Sequence, residues 1–493
     1  MELLRKTKSI CPKCLRSINA EIVDDNGKVL IKKNCKEHGN FEDLYWSDTE
    51  HYKWMMKFQD DGSGVKNPKT KRVRGCPYDC GLCDEHKSHT MLGIIDVTNR
   101  CNLKCPVCFA NSDALGYLYQ PTKEQVVEMM TNLLNNKPVA TKALQFSGGE
   151  PTMRDDLPEL VKTAKGLGFK HVEVDTNGVR IANEPEYAKK LADAGTNLIY
   201  LQFDGLDDGV YRKTRGVPLM ETKLKAIENW KKTGRWVVFV VTLAKGVNDH
   251  QIGEIIRFAI KNKDVVRGVN FQPISFSGRA SRMEVKKKRI TTDQFIKLVE
   301  KQTNGSIRVR DFYPVPSIVP VSRFVGAYLE KPKPEATTHP LCGVGTYIMI
   351  DENGSYIPIT ELIDVERFMD ILKKATRELV NEGVISKKLR LGKVRVGAKL
   401  LKEIALEIKN PKIRRLIIKA LKDGCYEALR PFHYNSIMIG CMHFMDAWNF
   451  DLDRVQRCVI HYALPNGKII PFCSYNSIHR ENIEREFAVP IKN

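Results

Sequence analysis

The sequence predicts an α/β protein. A partial (β/α)6 barrel of TIM type spans residues 93–310, after a metal-binding ribbon (1–60) and a linker with a cysteine loop (61–92). An α+β iron–sulfur domain (311–493) follows it. Three observations carry this. Six apolar strand-like segments alternate with amphipathic helices between 93 and about 303, the pattern of βα units with a parallel sheet. The 14 cysteines fall in groups that flank and enter that region. After about residue 310 the alternation gives way to the proline-rich DFYPVPSIVPVSRFVGAYLEKPKPEATTHP.

A chain of 493 residues, 42% hydrophobic and 28% charged, has room for two to four domains and an ample core. MELLRKTKSICPKC lacks an apolar signal core, and no run of about 18 apolar residues occurs. A cytoplasmic protein that does not span a membrane is expected. Cytosolic thiols stay reduced, so the cysteines point to metal ligation in roughly four sites.

In the ribbon, Cys11-Pro-Lys-Cys14 and Cys35-Lys-Glu-His38 are two knuckles around the short strand VLIKKN. They offer a Cys3His set for one metal ion, tetrahedral as zinc or rubredoxin-like as iron. DDGSGVKNPKTKRVRG is a polar linker, and Cys76, Cys80 and Cys83 follow it at C-x3-C-x2-C spacing.

The first barrel strand, GIIDVT, runs into Cys101-Asn-Leu-Lys-Cys105-Pro-Val-Cys108, the same spacing again. Closed zinc sites take four ligands. Three thiolates on one tight loop suit three irons of a cubane cluster, which leaves the fourth iron open to a small molecule. Loops after the strands form the active face of such a barrel, and the cluster loop lies there. Ser147-Gly148-Gly149-Glu150 ends strand two, where glycines admit close approach of a ligand and a carboxylate can accept from an ammonium group. Thr176 and Asn177 end strand three, Gln202 and Asp204 strand four, and Gln272 and Ser275 strand six. Each pair suits a ribose or carboxylate, and each also suits ordinary turn chemistry.

The second loop in this setting resembles that of the radical S-adenosylmethionine (SAM) enzymes, and SGGEPT resembles their glycine-glycine-glutamate motif. The resemblance implies a [4Fe–4S] cluster on Cys101, Cys105 and Cys108 whose open iron is chelated by SAM. Cleavage to methionine and a 5′-deoxyadenosyl radical would then allow hydrogen abstraction from unactivated carbon. That family often has an aromatic residue just before the third cysteine. Here Val107 holds that place and Phe109 follows, so adenine contacts near this loop are the less secure part of the likeness.

Residues 387–422 hold 13 Lys or Arg against two Glu, a net +11 within a chain total of +20. Leu400, Leu401, Ile404 and Ile408 share one helical face; Ile413, Leu416, Ile417 and Leu421 share the next, with Lys412, Arg414, Arg415, Lys419 and Lys422 outward. Such basic amphipathic helices bind anionic membrane surfaces, pack on the protein's own core or bind RNA. The first reading places the protein at the inner membrane face. No RNP-type aromatic pattern supports the last, and no nucleic-acid partner is expected. The tail adds Cys425, Cys441, Cys458 and Cys473, enough for one cluster, and Cys342 is free to complete the Cys76/Cys80/Cys83 set.

Together, GCPYDCGLC, DVTNRCNLKCPVCFA, SGGEPT and RCVIHYALPNGKIIPFCSYN are similar to the radical SAM tetraether lipid synthase family of archaea, formerly grouped with pterin methyltransferases of methanopterin biosynthesis. That resemblance implies three [4Fe–4S] clusters, one mononuclear iron and a low-potential electron donor such as ferredoxin. The implied activity joins terminal methyl carbons of phytanyl chains in archaeal diether phospholipids, giving macrocyclic archaeol and tetraethers. The alternative is a C-methyltransferase acting on a hydroxymethyl dihydropterin.

Overall fold

The computed structural model describes residues 1–112, 116–279, 287–385 and 435–490, with isolated positions between 396 and 415. The first unit is a four-stranded antiparallel meander, β1 (Glu2–Ile10), β2 (Ser17–Asp25), β3 (Lys28–Cys35) and β4 (Gly39–Trp46). Asn26 and Gly27, both at positive φ, make the β2–β3 turn, as a tight hairpin of this kind requires.

The barrel strands are β5 (Leu92–Thr98), a two-residue β6 (Tyr117–Leu118), β7 (Ala143–Gly148), β8 (His171–Thr176), β9 (Leu198–Gln202), β10 (Trp236–Leu243) and β11 (Val266–Pro273). Apart from β6 they run parallel, in the order 5-7-8-9-10-11. The sequence encodes the intervening helices locally. Thr122 and Gln125 form a capping box that starts Lys123–Leu134, and Gly168 in the left-handed region ends Leu157–Leu167. Their buried faces and the sheet form the main core, from Ile95 and Phe146 to Phe239 and Phe271.

Beyond residue 310 come β12 (Tyr313–Pro314), β13 (Gly343–Ile350), β14 (Tyr356–Pro358), β15 (Ser436–Met442), β16 (Ile460–Ala463), β17 (Ile469–Pro471) and β18 (Val489–Pro490). The sequence suggests a separate domain here, but β12 to β17 extend the barrel sheet at both ends, and β18 pairs with β6 in a small sheet of its own. β15 lies parallel beside β11 and antiparallel to β13, while β16 lies parallel beside β5. An open six-stranded sheet has two bare edges, and the C-terminal part covers both.

The ribbon docks on this C-terminal part. Asp451 accepts from Arg5 at 2.5 Å and from Thr7 and Tyr45 at 2.7 Å each. Lys33 donates to the Ala447 carbonyl at 2.7 Å. Cys11 and Cys35 pack in one apolar cluster with Phe41 and Trp448.

Most of the basic segment 387–422 lies outside the described residues, including Leu401, Ile404, Lys412, Ile413, Leu416, Ile417, Lys419, Leu421 and Lys422. Leu400 and Ile408 are described, and both are buried against Phe324, Phe368 and Leu372. Their apolar face is therefore occupied by the protein's own helices, which removes the ground for the membrane-surface reading at these two positions. No helix among the described residues is long and apolar enough to cross a membrane.

Candidate functional site

β5 delivers the cysteine loop to the C-terminal edge of the sheet, and three anchors fix it there. Gly149 and Glu150 donate backbone N–H groups to the carbonyls of Thr98 and Arg100, both at 2.8 Å. Asn177 donates to Asn102 Oδ1 at 2.7 Å. From the opposite side, Arg279 donates through its backbone N–H to Cys108 O (3.0 Å) and through Nη1 to Cys105 O (3.1 Å). Arg279 also reaches Asn111 Oδ1 at 3.0 Å and the Ser112 carbonyl.

A cavity of about 160 Å³ opens against this loop. Cys101, Cys105, Cys108, Val107 and Phe109 form one wall; Gly148, Gly149, Glu150, Thr176, Asn177, Gln202, Gln272 and Ser275 contribute the rest. Two residues expected there are set back. Ser147 donates to Asp175 Oδ2 at 3.3 Å. Asp204 is fully buried and accepts from Arg215 at 2.6 and 2.9 Å and from the Thr242 backbone at 3.0 Å. The side chain that Asp204 presents to the cavity is thus Arg215, which also bonds Thr242 Oγ1 at 2.7 Å. Burial opposes charge on Arg215, but the Asp204 carboxylate outweighs it and keeps the guanidinium protonated.

Glu150 has a structural role beyond the one its sequence position suggests. Oε1 accepts from Thr152 N (3.2 Å), Thr152 Oγ1 (2.6 Å) and Thr176 Oγ1 (2.7 Å), and Oε2 from Asn177 N (2.7 Å). At the cavity wall Oε2, with one partner, keeps capacity to accept another donor, and the carboxylate latches β7 to β8. Lys223, wholly buried, does the same one strand further on by donating to Asn177 O (2.5 Å) and Gln202 Oε1 (2.7 Å). Burial, and then the Arg215 charge, lower its pKa to about 7. Gln202 Nε2 is buried with no acceptor, so a donor at the cavity wall awaits one.

Asp175, Arg215, Thr242 and Phe444 also line the cavity and were not singled out from sequence. Burial, and then the Glu150 charge, push the Asp175 carboxyl up to about 7. DTNG gave a signal for Asp175; Arg215, inside a helix (Asp208–Arg215), and Phe444, 336 residues beyond Cys108, gave none.

The ribbon set forms as expected, and the cysteines beyond the barrel sort differently. Cys11, Cys14, Cys35 and His38 converge with all ligand atoms within 4.8 Å of one another; His38 Nδ1 lies 3.6 Å from Cys11 Sγ and 3.5 Å from Cys35 Sγ. Cys76, Cys80 and Cys83 share a small cavity with His86. Cys342 does not complete that set. Its sulfur lies 3.4 Å from Arg454 Nε, and Arg454 also lies near Cys458 and Cys473, whose thiols are pushed up chiefly by burial. Cys441 is separate, fully buried in the main core on β15 opposite Phe271 and Val344. A strand-interior side chain facing the core cannot turn toward a loop cluster, so the expected set with Cys458 and Cys473 does not form. Cys425 lies outside the described residues.

The Cys342 group is one aromatic layer from the barrel cavity. Phe444, on the cavity wall, stacks on Phe472 with centroids 4.1 Å apart, and Met445 N donates to Cys473 Sγ at 3.3 Å.

Residues 95–259 match the radical SAM superfamily, and residues 3–47 match the HMPTM N-terminal zinc ribbon domain. Among solved structures, the chain resembles Streptococcus suis SuiB bound to S-adenosylmethionine (20% identity, 44% of this chain and 48% of that one, TM-score 0.36). Fold, cysteine loop and family match together define a radical SAM enzyme, which uses a [4Fe–4S] cluster, SAM and an electron donor. Over 99% of its length the chain is 49% identical to 96% of the 7,8-dihydro-6-hydroxymethylpterin dimethyltransferase of Methanocaldococcus jannaschii, and it belongs to that family. Fe-coproporphyrin III synthase of Methanosarcina barkeri is 31% identical over 38% of the chain and 45% of its own length. The full-length match overturns the assignment to tetraether lipid synthases and, with it, phytanyl-chain coupling on a phospholipid substrate.

Proposed function

We propose that this chain is a radical SAM C-methyltransferase whose substrate is 7,8-dihydro-6-hydroxymethylpterin. The observation that carries the reading is the 49% identity extending over 99% of the chain, through ribbon, barrel and C-terminal strands alike. A likeness confined to the barrel would speak only for the shared chemistry of SAM.

In this reading Cys101, Cys105 and Cys108 hold three irons of a cubane cluster. The cluster and SAM together supply the electron and the 5′-deoxyadenosyl radical that takes hydrogen from carbon. The chain's own residues orient and shield. Gly148 and Gly149 let β7 pack against the backbone that leads into the cysteine loop, where a Cβ would strike the Thr98 and Arg100 carbonyls, while Thr176, Asn177 and Gln202 offer hydrogen bonds to the polar groups of SAM. Arg215, held charged by Asp204, faces a carboxylate. A pterin is flat and presents amino and ring N–H donors along one edge. Asp175 accepts from that edge, and the Phe109 and Phe444 rings supply apolar faces against the bicycle. Gln272 and Ser275 close the far side.

The remaining cysteines hold auxiliary iron–sulfur clusters, one on Cys76, Cys80 and Cys83 and one on Cys342, Cys458 and Cys473. Cys11, Cys14, Cys35 and His38 hold one iron or zinc ion. A groove of about 1300 Å³, lined by Lys6, Lys8, Arg16, Lys36, Arg72 and Arg74, runs beside the half-buried Cys76 and the buried Cys35. An acidic low-potential donor such as a ferredoxin fits that surface.

Anaerobic incubation with SAM, a reductant and 7,8-dihydro-6-hydroxymethylpterin tests the assignment. The expected products are 5′-deoxyadenosine and pterin heavier by CH2 increments. SAM cleavage with the pterin mass unchanged would refute the substrate.

A further inference from the structure

The loop Cys76–Cys83 brings three thiolates to one cavity, and among the described residues no fourth cysteine joins them. Cys342, Cys458 and Cys473 are grouped around Arg454, and Cys441 is locked in the core. Three other side chains on the cavity wall carry atoms able to bind iron: Asp79, Glu85 and His86. Asp79 is engaged, its Oδ2 accepting backbone N–H groups from Val73, Arg74 and Gly75. Glu85 is paired with Arg72 at the surface.

His86 differs from both. Its side chain lines the cavity, and its backbone N–H donates to the Cys83 carbonyl at 3.2 Å, which ties it to the end of the cysteine loop. Nε2 lies 2.9 Å from the Cys458 carbonyl oxygen. A carbonyl only accepts, so Nε2 carries the proton and Nδ1 is left with a free lone pair. His461 Nε2, 3.2 Å from His86 Nε2, is compatible as a second acceptor of the same proton. No hydrogen bond engages Nδ1 among the described residues. An imidazole that lines a cavity of thiols, with one nitrogen tied to a carbonyl and the other without a hydrogen-bond partner among the described residues, has the hydrogen-bonding pattern of a metal ligand.

We infer that His86 Nδ1 is the fourth ligand of the cluster on Cys76, Cys80 and Cys83. The inference rests on the reading that these cysteines hold iron and sulfide. A neutral imidazole in place of a thiolate leaves the cluster one charge less negative, which raises its reduction potential relative to an all-thiolate neighbour. The same ring bonds to the backbone of Cys458, so one side chain joins the two auxiliary sites and forms a short covalent and hydrogen-bonded route between them.

The test uses anaerobically reconstituted full-length protein with Cys101, Cys105 and Cys108 changed to Ala, so that the barrel loop contributes no signal, and without SAM. After reduction, pulsed EPR on protein with natural-abundance or ¹⁵N-labelled histidine is expected to show one strongly coupled imidazole nitrogen that changes with the label. His86→Ala abolishes that coupling. His86→Cys abolishes it while keeping the cluster, and a redox titration then finds its potential lowered. The labelled unsubstituted His86 protein needs no folding of a variant. Absence of a directly coupled nitrogen there overturns the inference, and Cys425 becomes the candidate ligand; coupling that survives His86→Ala overturns it in favour of another histidine. Iron analysis separates the failures. No cubane iron in the Cys101/Cys105/Cys108→Ala protein overturns the auxiliary-cluster reading itself, and the His86 assignment with it.

Discussion

Arg480 Nη1 lies 2.6 Å from Asp96 Oδ2, and both side chains are less than a tenth exposed. The helix Arg480–Glu486 is the last of the chain, whereas Asp96 stands on the strand that feeds the barrel cysteine loop. Arg480 also pairs with Glu484 at 2.8 Å and lies over the rings of Tyr475 and Tyr462. Removing one member of a buried pair leaves an uncompensated charge and costs about 3–5 kcal/mol. Arg480→Met is expected to lower stability by that order. Combined with Asp96→Asn it should recover part of the loss, as read from urea midpoints of the two single variants and the double.

Gly148 has φ +138°, and a Cβ there would sit 2.1 Å from the Thr98 carbonyl oxygen. Gly148→Ala must push β7 from the start of the cysteine loop. The expected result is loss of the barrel cluster's visible absorption with the ribbon metal retained. Gly166→Ala, in a helix with open space around it, is the control and should stabilise by about 0.5–1 kcal/mol.

Arg215 is presented to the cavity by Asp204. Arg215→Met removes the cavity's paired cation and is expected to weaken SAM binding about 10- to 100-fold, on the order of 1.4–2.8 kcal/mol. Titration of the SAM-induced EPR change of the reduced cluster measures it. Asp204→Asn should give a smaller loss, because the guanidinium remains but its orientation loosens.

Asp175 has its carboxyl pushed up to about 7 by burial and then by the Glu150 charge, from a usual value of 3.8. A raised carboxyl binds its proton more tightly in the folded chain than in the unfolded one. Its contribution to stability is complete below about pH 4 and is lost as pH rises through about 7. The slope is up to about 1.4 kcal/mol per pH unit in that window. Asp175→Asn should abolish this component, so urea midpoints of the two proteins should converge toward pH 4 and diverge in the variant's favour toward pH 8.

The basic groove beside Cys35 and Cys76 should govern reduction by a protein donor. Reversing Lys8, Lys36 and Arg74 to Glu is expected to slow reduction by an acidic ferredoxin at least about 10-fold at low ionic strength, and the difference should shrink as salt screens it. Reduction by dithionite should change far less. Stopped-flow bleaching of cluster absorbance distinguishes the two donors.

What the sequence shows is local, and what it hides is long-range. β5 and β7 through β11 are readable because each is a short apolar run followed by an amphipathic helix, whereas the two-residue β6 has no such signal. The Cys101–Cys108 loop is readable because its ligands are contiguous. Cys342, Cys458 and Cys473 are separated by up to 131 positions, and spacing says nothing about which meet. Cys441 looks like a ligand in sequence because nothing local reveals that its strand sits between β11 and β13. The bonds from Thr152, Thr176 and Asn177 that make Glu150 a latch between β7 and β8 are equally invisible in sequence. The lipid assignment failed for another reason: motif likeness in cysteine loops reports the shared radical chemistry and leaves the substrate open, and it is the full-length match to a pterin dimethyltransferase that overturned it.

β16 reaches its place beside β5 only once the ribosome has made residues 460–463, more than 350 positions after the cysteine loop it shelters. A nascent chain halted earlier exposes the β5 edge and lacks Cys473 altogether. Iron insertion at the barrel mouth therefore belongs to a chain that has reached β16, and a product truncated before it should emerge colourless and prone to aggregate.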